Sequence, residues 1–101
     1  MKTVAVILTF NEEQHLGRCM ASLDGVASDI VVVDCFSTDR TLEIAREQGA
    51  RVIQREWVNY ATQFNWALTQ LDADTDWVLR IDADEVLTPE LAAEIQARLA
   101  S

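Results

Sequence analysis

Val4-Ala5-Val6-Ile7-Leu8-Thr9-Phe10-Asn11-Glu12-Glu13 passes from five consecutive apolar residues into a polar, acidic turn. A strand covered on one face alternates apolar with polar residues, whereas one covered on both faces does not. Val4 to Leu8 therefore reads as a strand inside a parallel sheet. Asn11, with Gln14 three residues later and Glu12 and Glu13 between them, has the form of a helix N-cap with a capping box. Leu16, Cys19, Met20 and Leu23 follow at helical spacing, and Gly25 closes the segment.

The same alternation of element types continues outward. Ile30 to Val33 is a second buried strand. Ser37, Thr38 and Asp39 offer caps for a helix in which Leu42 and Ala45 face inward and Gly49 terminates. Val52 and Ile53 form a short third strand, and Ala61, Phe64, Leu68 and Leu71 trace one face of a third helix. Trp77 to Ile81 is a fourth buried strand. Thr88 at a cap and Pro89 at the first helical position open a last helix, with Leu91, Ile95 and Leu99 as its buried stripe. The order βαβαβαβα predicts an α/β fold of four mainly parallel strands, with residues 1–101 as a single domain. A free sheet edge in such a unit invites pairing, so self-association into a homo-oligomer is an expectation.

Composition narrows the function. Half of the 101 residues are apolar, and 17 acidic against 8 basic residues give a net charge of −9. That surface repels phosphate backbones and anionic lipid, which disfavours nucleic acid as a partner, while carboxylates suit divalent cations. No apolar run approaches the roughly 20 residues of a bilayer crossing. The N-terminus lacks a small-residue cleavage site and reads as a first strand. Cys19 and Cys35 have no companion His pattern, so neither a zinc site nor a disulfide framework is expected, and a cytoplasmic location follows by default.

Ligands of open parallel sheets bind beyond the carboxyl ends of the strands. Here those ends read Thr9-Phe10-Asn11-Glu12-Glu13, Asp34-Cys35-Phe36-Ser37-Thr38-Asp39 and Asp82-Ala83-Asp84-Glu85. Asp82 and Asp84, one residue apart, can share Mg2+ or Mn2+, which bind through one or two carboxylates plus substrate phosphates; the bland alternative is a solvated turn before Thr88. No glycine-rich phosphate loop follows the first strand, so a bound phosphate needs another source of positive charge. Asp34 can accept hydrogen bonds from a base or ribose, or merely cap the next helix. Phe10 can line a base pocket and Glu12 reach ribose hydroxyls, or the two can serve core and helix dipole. The aromatic and amide-rich segment from Trp57 to Trp66 adds Tyr60 and Gln63 as candidates to point into the site, with Phe64 read as core.

The runs V-A-V-I-L-T-F-N-E-E (4–13), I-V-V-V-D-C-F-S-T-D-R-T (30–41) and V-L-R-I-D-A-D-E (78–85) together resemble the family 2 inverting glycosyltransferases of the GT-A fold. They are most similar to bacterial enzymes that add sugars to lipopolysaccharide core or related cell-surface glycans. The resemblance implies a three-layer Rossmann-like half-domain that binds a nucleotide-diphosphate sugar, a UDP-sugar first among them. It implies that Leu8, Phe10 and Glu12 line the nucleoside pocket and that Asp34 contacts the base. Asp82 and Ala83 would lie by the ribose and diphosphate, and Asp84 would be the main metal ligand of a DxD motif, with Asp82 beside it. Cys35 and Phe36 depart from the family pattern, as does Phe64, where a basic residue is frequent.

The family's catalytic domain is longer than 101 residues. The glycan or lipid-linked acceptor site and the general base are therefore expected outside this chain, in an enzyme at the cytoplasmic face of the inner membrane. Nucleotide binding with weak or no transfer is expected of residues 1–101 alone. Two other classes stay open at this point. A nucleotidyltransferase would carry a glycine- and base-rich loop where Asn11-Glu12-Glu13 stands. A non-catalytic α/β module would use its acids for solubility and capping alone.

Overall fold

The computed structural model describes residues 2–100; Met1 and Ser101, included in the single-domain reading, lie outside them. The elements are β1 (Thr3–Thr9), α1 (Leu16–Ser22), β2 (Asp29–Asp34), α2 (Thr41–Glu47), β3 (Arg51–Gln54), α3 (Tyr60–Thr69), β4 (Trp77–Arg80) and α4 (Pro89–Ala100). The sheet order is β3-β2-β1-β4, and every pairing is parallel. The expected α/β architecture is the one observed.

The continuous apolar runs are explained by two cores. Ala5, Ile7 and Val32 point to one face and pack with Leu16, Cys19, Met20 and Leu23 of α1 and its C-terminal turn, and with Ala45 of α2. Val4, Val6, Val31 and Val33 point to the other face and pack with Ala67 of α3, flanked by Phe64, Trp66 and Leu71. Helices on both faces leave no solvent side for β1 or β2. Each large side chain buried this way contributes about 1.5–3 kcal/mol.

Several local expectations are corrected. Asn11 is not a helix cap: it adopts φ 51°, its side-chain oxygen accepts from the Thr38 N–H at 2.8 Å, and α1 begins only at Leu16 with His15 at the cap position. Of the three caps offered for α2, Asp39 is the one used, its Oδ1 accepting from the Thr41 N–H at 2.9 Å, while Ser37 and Thr38 bond elsewhere. The predicted turn beyond α2 is present, with Gly49 at φ 84°. On α3 the inward residues are Gln63 and Ala67, and Ala61 and Leu68 are exposed. The helix closes on β1 over the small Ala67, which turns Leu68 outward.

The larger corrections concern the β1 side of the sheet. β4 is an edge strand, with Trp77 and Val78 exposed, because no element among the described residues pairs with its far side. α4 starts as predicted, with Thr88 Oγ1 accepting from the Leu91 N–H at 3.1 Å, yet none of its residues is buried. Leu91, Ile95 and Leu99 instead border an open apolar groove with Trp77.

Candidate functional site

Parallel register brings the carboxyl ends of β1, β2 and β4 to one edge. Two loops meet there, residues 10–15 after β1 and 35–40 after β2, and they are laced together. The Asn11 N–H donates to Ser37 Oγ at 2.8 Å, the Glu12 N–H to Thr41 Oγ1 at 2.8 Å, and the Glu13 N–H to Asp39 Oδ2 at 3.2 Å. Burial works against the Asp39 carboxylate, but the hydrogen bonds from the Thr41 hydroxyl and N–H and from Glu13 outweigh it and hold its carboxyl below the usual range.

Beside these loops is a cavity of about 550 Å3, within the size range of small-molecule sites. Leu8, Phe10, Glu12, Asp82, Ala83 and Asp84 all line it. Phe10, 55% exposed, is a cavity wall and not core. Asp34 is the exception among the predicted residues. It is fully buried beneath the cavity lining, with its carboxylate engaged by Thr9, by the Ser37 N–H and by the Ser37 hydroxyl.

Of the other two candidates, Tyr60 joins the lining, and its hydroxyl donates to Asp82 Oδ1 at 2.8 Å. Gln63 is buried, with Nε2 donating to the Arg55 carbonyl at 3.2 Å. Phe64 is half-buried, and the Arg80 guanidinium sits 5.4 Å from its ring centroid. Thr9, Cys35 and Trp57 also line the cavity and were not singled out as site residues from sequence. For Trp57 the signal was present, an aromatic just before the Asn59 cap. For Cys35 and Thr9 it was not, since strand-end orientation depends on register.

The site is electronegative. Among the described residues, no Lys, Arg or His lines the cavity. The Glu12 carboxyl is pushed above its ordinary value, first by burial and next by the charge of Asp84, with His15 opposing and Asp39 and Asp82 adding to the rise. Tyr60 is also raised, by burial and by its bond to Asp82, and so stays a hydrogen-bond donor. No hydrogen bond or ion pair among the described residues engages the exposed Asp84 carboxylate. These hard oxygen donors, mutually repelling and without a protein cation, fit a divalent metal. No set of three His, Cys, Asp or Glu among the described residues is arranged to hold one unaided.

The fold and this edge define a class: three-layer, Rossmann-like α/β proteins with an acidic cavity at the carboxyl ends of a parallel sheet. The model of glycosyl transferase family 2 matches residues 4–101, and the chain belongs to that family. It is 41% identical over 100 residues to an "Uncharacterized glycosyltransferase" of Rickettsia bellii, a match covering 99% of this chain and 33% of that protein. It is 36% identical over 102 residues to the lipopolysaccharide core biosynthesis glycosyltransferase LpsC of Rhizobium meliloti, covering 96% and 37%. Among solved structures, glucosyl-3-phosphoglycerate synthase from Mycobacterium tuberculosis, in complex with Mn2+, UDP and phosphoglyceric acid, superposes with a TM-score of 0.70 at 28% identity. That superposition covers 84% of this chain and 34% of the synthase. The chain thus spans about a third of the length of the relatives it matches. Membership of this family selects the glycosyltransferase reading over a nucleotidyltransferase.

Proposed function

We propose that these residues form the donor site of a family 2 glycosyltransferase, which binds a nucleotide-diphosphate sugar, a UDP-sugar first among them. The observation that carries the reading is the Asp84 carboxylate, without a hydrogen-bond or ion-pair partner among the described residues, at the rim of a cavity that also holds Glu12 and Asp82. In this reading Leu8 and Phe10 provide an apolar wall for the nucleoside, and Glu12 accepts from ribose hydroxyls. Asp82 and Ala83 border the ribose and diphosphate. Asp84, with Asp82 beside it, completes a DxD motif that holds Mg2+ or Mn2+. A metal held by Asp84 and Asp82 would supply positive charge to the leaving diphosphate, which no other group lining the cavity among the described residues offers. Asp34 acts indirectly, by fixing the β1 and β2 ends through Thr9 and Ser37, and not by contact with the base.

The whole enzyme transfers the sugar with inversion. An acceptor hydroxyl oxygen forms a bond to the anomeric carbon as the bond to the diphosphate oxygen breaks, and the hydroxyl proton passes to a general base. We assign that base and the glycan or lipid-linked acceptor site to the remaining length of the enzyme. The name of LpsC supports a cell-surface glycan acceptor, and the Mn2+ and UDP of the mycobacterial synthase support the donor. Isothermal titration of UDP into the chain with and without Mn2+ tests the reading. Mn2+-dependent binding that is lost in Asp84→Ala is expected. Absence of binding at millimolar UDP with metal present overturns it.

A further inference from the structure

The two aspartates of the cavity are not equivalent. Asp84 has no partner among the described residues, whereas Asp82 is held from two sides. The Tyr60 hydroxyl donates to its Oδ1 at 2.8 Å, and its own N–H donates to Glu85 Oε1 at 2.8 Å. Tyr60 is itself fixed. It is the first residue of α3, directly after the cap at which Asn59 Oδ1 accepts from the Thr62 N–H at 2.8 Å. The Trp57 ring meets it edge-on, 6.4 Å between centroids at 73°. The Arg80 guanidinium lies 4.8 Å from its ring centroid and also reaches over Phe64. Contacts from the β3–α3 loop, the start of α3 and the end of β4 therefore aim one hydroxyl at one carboxylate oxygen.

We propose that Tyr60 is a positioning residue for the cation site, acting through Asp82. By occupying Oδ1 it stops the carboxylate from rotating and leaves Oδ2 as the oxygen available to a divalent metal or to the ligand the metal carries. Arg80 serves the same end by holding the ring, since stacking of a guanidinium on an aromatic face resists ring displacement. The inference rests on the proposed donor site and deepens it. Partners that orient a metal ligand from outside its coordination shell typically change metal affinity by roughly 10–100-fold.

Tyr60→Phe removes only the hydroxyl and keeps the ring and its stack. Titration of UDP with and without Mn2+ is compared for the wild type, Tyr60→Phe, Asp82→Ala, the double variant and Asp84→Ala. The expected result is a loss of about tenfold in the Mn2+-dependent affinity of Tyr60→Phe. Its loss of metal-free UDP affinity is smaller than this Mn2+-dependent loss, and the tyrosine change has no further effect once Asp82 is removed. A Tyr60→Phe affinity within about twofold of the wild type, while Asp84→Ala loses its metal dependence, overturns the role of Tyr60 and leaves the donor site standing. Equal losses with and without metal, or additivity with Asp82→Ala, also overturn it. A wild type without Mn2+-dependent binding removes both readings.

Discussion

Thr9 Oγ1 donates a 2.6 Å hydrogen bond to Asp34 Oδ1, and these residues face each other in register at the ends of β1 and β2. The same carboxylate accepts from the Ser37 N–H at 2.8 Å and from the Ser37 hydroxyl at 2.5 Å. It thereby ties two strand ends and the loop after β2 into one unit. Asp34 is fully buried and Gln54 Nε2 also reaches its Oδ2 at 3.5 Å, so its loss removes the acceptor of several donors, the buried Thr9 hydroxyl among them. Asp34→Ala is expected to lower stability by about 3 kcal/mol, and Thr9→Val by about 1–2 kcal/mol. The double variant should cost less than the sum. Urea unfolding measures all three.

Glu12 sets a pH dependence. Its folded value lies above the ordinary one, chiefly through burial and the Asp84 charge. Such a group favours the fold below its unfolded value, and the benefit disappears as pH rises through the raised folded value. At neutral pH the ionised Glu12 is therefore a burden. Glu12→Gln should raise the melting temperature at pH 7 by about 2 °C and leave it unchanged below pH ~4. Differential scanning calorimetry across that range checks both halves.

The two thiols should differ sharply. Burial first, and then the charges of Glu85, Asp84 and Asp82, push Cys19 up to about 11, and it is fully covered. Cys35 is half-exposed and lines the cavity. Iodoacetamide at neutral pH should alkylate Cys35 alone in the folded chain and reach Cys19 only in denaturant. UDP with Mn2+ should slow the Cys35 reaction, as read by peptide mass spectrometry.

We propose the edge strand β4 as the place where the expected self-association would occur. Val78 is 40% exposed on β4, and its neighbour Trp77 borders the open groove with Leu91, Ile95 and Leu99. A charge on an edge strand blocks edge-to-edge pairing. Sedimentation velocity over a dilution series should show concentration-dependent association of the chain and its reduction in Val78→Lys.

Much of this was legible because strand burial leaves a mark in the sequence. Val4 to Leu8 and Ile30 to Val33 had to be apolar at every position to sit between two layers. The acids at Glu12, Asp82 and Asp84 could then be placed at one edge by connectivity alone. Asn11 shows where local rules fail. A cap-forming residue before a helical pattern reads as a cap, yet its side chain bonds to Thr38 in the neighbouring loop. The stripe on α4 shows the converse, since a helical period reveals an apolar face without saying what covers it.

The amino-acid order by itself determined the alternation of strands and helices and the acidic edge, because these follow from the repeat of apolar residues along a few turns or pleats. The tertiary structure decided which polar groups meet. Thr9 with Asp34, Asn11 with Thr38 and Tyr60 with Asp82 are separated by more than 20 residues along the chain. Such pairs depend on strand register and on the direction of each side chain, which arise only when the layers pack.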